Sequence, residues 1–310
     1  MSEIKTDEIL VLTANAAVMH AGDPQWFSFF IRLHQIATAG LAGRERRFTW
    51  ADDGSLRHQV QFESLLNYAS NVFSQRGDDG IIRRIFRILG IDKGFYIEFG
   101  ATDGIILSNC RALAQRGWSG CFIEAEKEFA GRLAHNYRDR PDIICLNALV
   151  VPTPTESGKT IDAIAAEHFP GRHIDFLSID VDGTDHLIFE RMQLRPSVVC
   201  LEGGWFWHPE FRSRVPEHIA AQDLQQPLSV LIEIGKTKAY TPICFNQNIY
   251  FVVDELAHKF PAIRNDAVSL WKDAWFNESQ TFREFLVEFR QDKRIREIEG
   301  EKYASLDFLT

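Results

Sequence analysis

The segment 94–104, which reads GFYIEFGATDG, restricts the possible folds of this chain more than any other. Phe95–Phe99 supply the aromatic and β-branched side chains of a buried strand. Gly100 and Gly104 follow this strand, and glycine lets a backbone turn sharply. A helix should come next. A strand, a glycine turn and a helix N-terminus form a ligand cradle, because open α/β sheets bind ligands at the carboxyl ends of their strands.

Acidic residues at two predicted strand ends restrict the ligand that this cradle can take. Glu98 would repel a pyrophosphate, but it suits the sulfonium and ammonium groups of S-adenosylmethionine (SAM). The dinucleotide fingerprint G-x-G-x-x-G is absent, because Thr102 stands where its middle glycine would fall. The next predicted strand, Gly120–Glu124, also ends in an acid. An acid at about this distance from a nucleotide-type glycine turn is placed to bind both ribose hydroxyls of an adenosine.

Strand and helix patterns continue to alternate after residue 124, which predicts an α/β chain with a Rossmann-like, doubly wound sheet. Further strands are expected over 142–150, 174–180 and 197–202. Two adjacent strand-like runs, 241–245 and 248–253, lie too close together for a parallel crossover, so they should pair as an antiparallel hairpin. Five parallel strands closed by such a hairpin match the methyltransferase variant of this sheet better than the dehydrogenase variant.

Helical patterns flank the predicted sheet on both sides. We expect a helical N-terminal region over 1–68, a ligand-binding domain over 69–256 and a helical extension over 257–310. The first region contains a predicted helix over 23–40, and the last has apolar side chains at helical spacing over 282–289. We interpret the polar part of the first region as a solvated connection, with a substrate-facing lid as the alternative.

Composition and charge exclude several classes of protein. The chain has 310 residues and a formal net charge of −9, which argues against a general binder of nucleic acids or of anionic membranes. Its five cysteines form no C-x-x-C pair, so we expect buried thiols in a reducing cytosol. We find no signal-like start and no apolar run of the ~18 residues that a membrane span needs. We therefore predict a soluble cytoplasmic protein, whose oligomeric state the sequence leaves open.

Six short motifs follow one another between residues 70 and 256. They are Ser74-Gln75-x-Gly77-Asp78-Asp79-Gly80, Glu98-Phe99-Gly100-Ala101-x-Asp103-Gly104, Ser108-Asn109, Gly117-Trp118-Ser119-Gly120, Ile123-Glu124-Ala125 and Ser178-Ile179-Asp180-x-Asp182-Gly183. In this order they resemble the FkbM-type branch of class I SAM-dependent methyltransferases. The resemblance implies a SAM-binding Rossmann-like fold and methylation, often of a hydroxyl on a sugar or natural product. His186 departs from the family pattern, which usually has an aromatic residue there.

The motifs and the strand ends together predict the cofactor-binding residues. These are Gln75, Glu98, Gly100, Ala101, Asp103, Gly104, Ser108, Asn109, Glu124, Ala125, Asn147, Ala148 and Asp180. Among them, Glu98 and Gly100 should lie near the methionine end of SAM, and Glu124 should bind its ribose. Ser108 or Asn109 should also cap the helix after the glycine turn.

Catalytic groups should lie at the same edge of the sheet. Methyl transfer is an in-line displacement that depends on positioning, and an alcohol acceptor must also lose a proton to a base or a metal-bound group. Asp180, Asp182 and Glu202 end the fourth and fifth strands, where they can bind the ammonium group of SAM, orient the acceptor or hold a divalent ion. Capping of the next helix is the alternative for Asp182. We do not favour a metal, because carboxylates without a histidine at ligand spacing are weak evidence.

His208 is the leading candidate for the general base. It belongs to the segment 203–209, GGWFWHP, whose aromatic side chains could stack on a sugar ring. A surface position is the alternative for His208, and His186 is the second candidate for the base. The sequence thus predicts O-methylation of a small-molecule or glycan acceptor. A nicotinamide-dependent oxidoreductase of the same fold and a non-catalytic SAM-binding protein are the alternatives.

Overall fold

The computed structural model describes most of the chain from residue 64 onward. The described residues are 48–50, 56–58, 64–220, 224–261, 263–274, 287, 290–300 and 303. The helices expected over 23–40 and 282–289 lie outside these residues, apart from position 287. Within the described part, no helix combines the length and the apolar character that a membrane crossing requires.

The elements alternate between strands and helices along the described chain. The strands are β1 (Phe48–Trp50), β2 (Leu56–His58), β3 (Phe95–Phe99), β4 (Ser119–Glu124), β5 (Ile143–Asn147), β6 (Leu149–Val150), β7 (Gly158–Lys159), β8 (Phe176–Ile179), β9 (Val198–Glu202), β10 (Tyr240–Asn246) and β11 (Asn248–Val253). The helices are α1 (Asp78–Leu89), α2 (Arg111–Gln115), α3 (Lys127–Asn136), α4 (Ile161–His168), α5 (Asp185–Arg191), α6 (Glu217–Ala220), α7 (Leu228–Thr237), α8 (Asp254–Ala257), α9 (Ala267–Asp273) and α10 (Lys293–Glu299). A short 3-10 helix, Leu65–Tyr68, precedes α1.

Seven of the strands form one sheet, in the order β10-β11-β9-β8-β3-β4-β5. The strands from β9 to β5 are parallel, whereas β11 is antiparallel to both of its neighbours, β9 and β10. Counted along the chain within this sheet, the order is 3-2-1-4-5-7-6. The dinucleotide-binding order is 3-2-1-4-5-6 without a hairpin. The predicted sheet of five parallel strands closed by an antiparallel hairpin is therefore confirmed.

Both faces of the sheet are buried, because successive strand side chains point to opposite faces. On β3, Ile97 and Phe99 belong to the apolar cluster that includes side chains of α4, α5 and α7. Tyr96 belongs to a second cluster, with side chains of α1, α2 and α3. The order of the strands along the chain reverses beside β3, which pairs with β4 on one side and with β8 on the other. A ligand crevice is expected at the carboxyl ends of these strands.

The prediction of a single strand over 142–150 is wrong in one respect, because the structure divides this segment into two strands. Ile143–Asn147 pairs with β4 in the main sheet, whereas Leu149–Val150 pairs with Gly158–Lys159 in a separate two-stranded sheet. Ala148, between the two parts, donates its backbone N–H to the carbonyl of Glu124 at 3.0 Å. This break brings Ala148, Leu149 and Val150 to the pocket described below.

Candidate active site

A pocket of about 650 Å³ opens at the carboxyl ends of the parallel strands. Most of the site residues predicted from the sequence line it. These are Gln75, Glu98, Gly100, Ala101, Asn109, Glu124, Ala125, Ala148, Asp180 and Asp182. The other predicted residues do not line it, namely Asp103, Gly104, Ser108, Asn147, His186 and His208. Four elements of the sheet, β3, β4, β8 and β9, thus bring distant parts of the chain to one site.

The glycine turn after β3 needs glycine at its first position. Gly100 has a φ of 72°, and a Cβ placed there would lie 1.6 Å from the carbonyl oxygen of Asp180. A side chain at this position would therefore force the ends of β3 and β8 apart. Thr102 has a φ of 47°, and its N–H donates to Oε2 of Glu124 at 2.7 Å. The turn is thereby tied to the end of β4.

Glu98 at the end of β3 holds the segment that leads into α2. Its Oε1 accepts from the N–H of Asn109 at 2.9 Å, and its Oε2 accepts from Oγ of Ser108 at 2.8 Å and from the N–H of Cys110 at 2.9 Å. Burial raises the pKa of Glu98, although these hydrogen bonds oppose the rise. The capping expectation for Ser108 is met in part. The N-cap residue of α2 is Cys110 and not Ser108, but Ser108 Oγ accepts from the N–H of Arg111, the first residue of the helix, at 3.0 Å.

Glu124 at the end of β4 joins two turns beside the pocket. Its Oε2 accepts from Thr102, and its Oε1 accepts from the N–H of Glu126 at 2.7 Å. Each carboxylate oxygen has two lone pairs, so each can accept a further hydrogen bond from a ligand. Asn147 stabilises the backbone of this turn, because its side-chain amide donates to the carbonyls of Glu124 and Ala125, both at 2.9 Å.

Asp103 and Gly104 shape the loop after β3. Oδ1 of Asp103 accepts from the N–H groups of Ile105 at 2.9 Å and of Ile106 at 2.8 Å. The carbonyl of Gly104 accepts from the hydroxyl of Tyr137 at 2.6 Å. Ile106 lines the pocket as a result, so these two motif residues act on the site through the loop.

Three carboxylates meet at the ends of β8 and β9. Asp180, Asp182 and Glu202 each have an oxygen within 4.8 Å of the others. Burial and the neighbouring carboxylates hold the pKa of Asp180 well above its ordinary value, and burial also raises the pKa of Glu202. Glu202 accepts from the side-chain amide of Gln225 at 2.9 Å and from that of Gln247 at 2.8 Å. Like charges at this spacing favour partial protonation of the cluster.

The capping role expected as the alternative for Asp182 is wrong. Asp182 has a φ of 52°, and the N-cap residue of α5 is Thr184. The turn is held instead by Asp185, whose carboxylate accepts from the N–H groups of Val181 and Gly183, both at 3.0 Å. Burial raises the pKa of Asp185 to about 7. The D-G-x-D pattern of the sequence contained this residue, but its role was not recognised.

The motif over 74–80 reaches the pocket through Asp78 as well as through the predicted Gln75. Asp78 lies in the first turn of α1, and its carboxylate accepts from the hydroxyl of Tyr250 and from the side-chain amide of Asn248. Burial raises its pKa to about 7. Asp79 accepts from the backbone N–H groups of residues 72–74 at 2.6–3.1 Å. No local pattern reveals the contact of Asp78 with the hairpin, since it spans 172 residues.

Charge on the pocket wall is strongly unbalanced. Among the described residues that line it, seven are acidic, and the basic one is Arg76. Burial lowers the pKa of Arg76, whereas Glu202 and Asp78 oppose that change. A wall of this kind favours cationic ligands and disfavours a pyrophosphate.

The aromatic segment after β9 does not form the expected sugar-stacking wall. Trp205, Phe206 and Trp207 are all buried in the core, with exposed fractions of 7%, 3% and 1%. His208 lies outside the pocket, where its Nδ1 accepts from the N–H of Glu210 at 3.1 Å and its ring packs on Tyr303 at a centroid distance of 5.0 Å.

His186 is not placed at the pocket either. Its side chain is 1% exposed, and its Nε2 lies 3.3 Å from the side-chain amide nitrogen of Gln226. Burial lowers the pKa of His186 to about 4. The structure therefore brings neither candidate histidine to the pocket wall, where the titratable side chains are carboxylates apart from Arg76 among the described lining residues.

Comparisons with protein-family models and with curated protein sequences gave no match. Among solved structures, a putative caffeoyl-CoA O-methyltransferase from Staphylococcus aureus is similar at 14% identity and a TM-score of 0.39, over 63% of this chain and 93% of that chain. Monomeric WbdD is similar at 17% identity and a TM-score of 0.38, over 66% and 43%. The CMeT domain of the citrinin polyketide synthase is similar at 10% identity and 0.38, over 60% and 54%. The match thus spans about half of the last two chains, and such distant likenesses assign no activity to this chain.

Proposed function

We propose that this chain is a SAM-dependent methyltransferase of the FkbM type, which methylates a hydroxyl of a sugar or of another natural product. The observation that carries the proposal is the acidic pocket at the strand ends, with Glu124 beside the glycine turn of β3. The motifs that resemble the family contribute much of its wall, from Gln75 on the first motif to Asp182 on the last.

The residues of the pocket fit SAM in size and charge. Its volume of about 650 Å³ lies within the range of small-molecule sites. SAM carries positive charge on its sulfonium and ammonium groups, which suits a wall with seven acidic side chains and one basic side chain. Phe129, Leu149 and Val150 provide an apolar part of the wall for an adenine ring. Glu124 has lone pairs left for ribose hydroxyls.

Each part of the pocket has a role in this proposal. Glu124 binds the ribose, Glu98 and Gly100 support the methionine end, and Asp180 binds the ammonium group. SAM supplies a methyl group activated by its positively charged sulfur. The chain orients the acceptor hydroxyl towards that methyl group and removes its proton, which a carboxylate at the ends of β8 and β9 can do.

Calorimetry with SAM, S-adenosylhomocysteine and NAD separates this proposal from an oxidoreductase. We expect SAM and S-adenosylhomocysteine to bind and NAD not to bind, because the pocket wall is acidic and the phosphate-binding glycines are absent. Binding of NAD in preference to SAM would overturn the proposal.

Transfer of a labelled methyl group separates an enzyme from a non-catalytic SAM-binding protein. The assay uses methyl glycosides of glucose, mannose, rhamnose and fucose, with the product identified by mass spectrometry. We expect methylation of a ring hydroxyl, and we expect Asp180→Asn to lower turnover more than about tenfold while the fold is retained. A protein that binds SAM tightly yet methylates no tested sugar would contradict the sugar assignment.

A further inference from the structure

Two side-chain amides hold the carboxylate of Glu202 in place. One of its oxygens accepts from the amide of Gln247 and the other accepts from the amide of Gln225. Both glutamines are themselves fixed through their backbone carbonyls. Gln225 accepts from the indole N–H of Trp207 at 2.6 Å, and Gln247 accepts from the N–H of Gly203 at 2.8 Å. The position of the Glu202 carboxylate is therefore set by two independent parts of the chain.

These two hydrogen bonds favour the ionised form of Glu202. Both amides donate, and donors to a carboxylate stabilise its charge. Within the described part of the chain, the carboxylate of Asp180 accepts no side-chain hydrogen bond of this kind, and burial and Glu202 raise its pKa well above the ordinary value. Without a ligand, a proton shared by the cluster is thus better placed on Asp180, and Glu202 keeps its negative charge. An ammonium group bound beside Asp180 favours the release of that proton.

Glu202 also lies at the correct end of the pocket to meet an acceptor. Glu124 ends β4 and Glu202 ends β9, and the strands β3 and β8 lie between them. Three strand spacings separate the two carboxylates, which amounts to roughly 14 Å. If the ribose is bound by Glu124, then Glu202 faces the part of the pocket that is farthest from the adenosine.

The side chain of Gln247 places a buried hydrogen-bond acceptor at the Glu202 end of the pocket. Its amide nitrogen donates to Glu202, while its Oε1 is buried and has no hydrogen-bond partner among the described residues. Gln247 is one of the residues that line the pocket. A buried oxygen that accepts no hydrogen bond is unfavourable, so a ligand whose hydroxyl donates to it would be stabilised there.

We propose that Glu202 is a catalytic residue that lies against the transferred methyl group and receives the proton of the acceptor hydroxyl. Gln225 and Gln247 are positioning residues that orient it. As the acceptor oxygen forms its bond to the methyl carbon, the bond from that carbon to sulfur breaks and its electron pair stays on sulfur. The O–H bond breaks at the same centre, and its proton passes to Glu202, which later releases it to water. This inference rests on the proposed function.

The test compares two ligands that differ by the methyl group and the positive charge on sulfur. Calorimetry is performed with SAM and with S-adenosylhomocysteine on the full chain, for the wild type and for Glu202→Gln. Both ligands carry the ammonium group, but only SAM carries a positive charge on sulfur, so Glu202→Gln should weaken SAM binding about five- to tenfold more than it weakens S-adenosylhomocysteine binding. Glu126→Gln is the matched control, because it removes the same charge from the β4 end of the wall. It should leave the ratio of the two affinities within about twofold of the wild type.

The positioning residues are tested with the same ratio. Gln225→Leu and Gln247→Leu should each lower the preference for SAM about threefold, because the carboxylate loses one of its two fixed donors. A purely structural defect would weaken both ligands alike. These variants also keep the inference testable if Glu202→Gln does not fold. On a glycoside that the wild type methylates, Glu202→Gln should also lower kcat at least tenfold.

The outcomes separate this inference from the proposed function. If the wild type binds neither ligand, the proposed function fails, and the role of Glu202 fails with it. If the wild type binds both ligands and Glu202→Gln shifts both affinities equally, the proposed function stands and the role of Glu202 is overturned. An equal loss of SAM preference in Glu126→Gln would also overturn it.

Discussion

The carboxylates at the ends of β8 and β9 and the aromatic segment that directly follows β9 differ in their surroundings. Asp180 and Glu202 line a pocket, and burial raises the pKa of each carboxylate. Trp205 and Trp207, only a few residues further, are buried in the apolar core. Repulsion between neighbouring carboxylates disfavours the folded state, whereas buried aromatic side chains stabilise it. The first region therefore points to function and the second to stability.

The aromatic segment is also fixed by polar contacts with the C-terminal part of the chain. The carbonyl of Trp205 accepts from the indole N–H of Trp271, and the carbonyl of Phe206 accepts from Arg290, both at 2.8 Å. Arg290 forms an ion pair with Glu299, and the two side chains are 4% and 2% exposed. These contacts make the segment a rigid support for the end of β9. Buried side chains next to a pocket can thus serve it without contacting a ligand.

The largest expected effect is on the stability of the aromatic segment and its contacts with the C-terminal part of the chain. Arg290→Met leaves the Glu299 carboxylate buried without its cation, so we expect the free energy of unfolding to fall by about 3–5 kcal/mol. Chemical denaturation measures this value. Arg132→Met is the control, because Arg132 and Glu128 form a surface pair with 32% and 68% exposure, and its loss should cost less than about 1 kcal/mol. Equal losses in the two variants would contradict the role given to the C-terminal contact.

The next effect concerns the pocket. Glu124→Ala should weaken SAM binding by about 1–3 kcal/mol, because the ribose loses charge-assisted hydrogen bonds. Calorimetry measures the affinity, and a melting curve shows whether the loss of the contacts to Thr102 and Glu126 has also disturbed the fold. Glu126→Ala should change SAM affinity much less. Unchanged affinity in Glu124→Ala would remove the ribose assignment.

Local patterns in the sequence predicted the elements that build the pocket. Apolar and β-branched content predicts strands over 95–99 and 248–253, and both are confirmed. The glycine at position 100 marked the turn, and the structure gives the reason in its positive φ and its close approach to Asp180. These features depend on neighbours in the chain, which a single sequence can reveal.

Contacts between distant parts of the chain could not be predicted. Asp78 accepts from Tyr250, and His208 packs on Tyr303, but no spacing rule connects these positions. The same limit explains the error over the aromatic segment. A tryptophan after a strand has the same local pattern whether it faces a pocket or the core, and only the packing of α9 and the C-terminal residues decides which it does.

A smaller effect should arise from pH at the contact between α1 and the hairpin. Burial raises the pKa of Asp78 to about 7 in the folded chain, above its ordinary value of about 3.9 in the unfolded chain. The folded chain therefore binds the proton of the Asp78 carboxyl group more tightly than the unfolded chain does. The contribution of this group to the free energy of unfolding is fully present below pH 4 and is lost as the pH rises to about 7. Asp78→Asn should gain about 1 kcal/mol relative to the wild type for each pH unit between 5 and 6.5. A constant difference in unfolding free energy over this interval would show that Asp78 is ionised in the fold.

Removal of divalent ions should have the smallest effect. Asp180, Asp182 and Glu202 lie close enough together to hold a cation. Burial favours protonation of Asp180, however, and this opposes metal binding because ligands must be deprotonated. We expect dialysis against EDTA to leave SAM affinity and methyl transfer unchanged, and added magnesium to leave the melting temperature unchanged. Loss of transfer after EDTA that magnesium restores would assign the carboxylates to a metal, and the proton of the acceptor would then pass to a metal-bound group instead of Glu202.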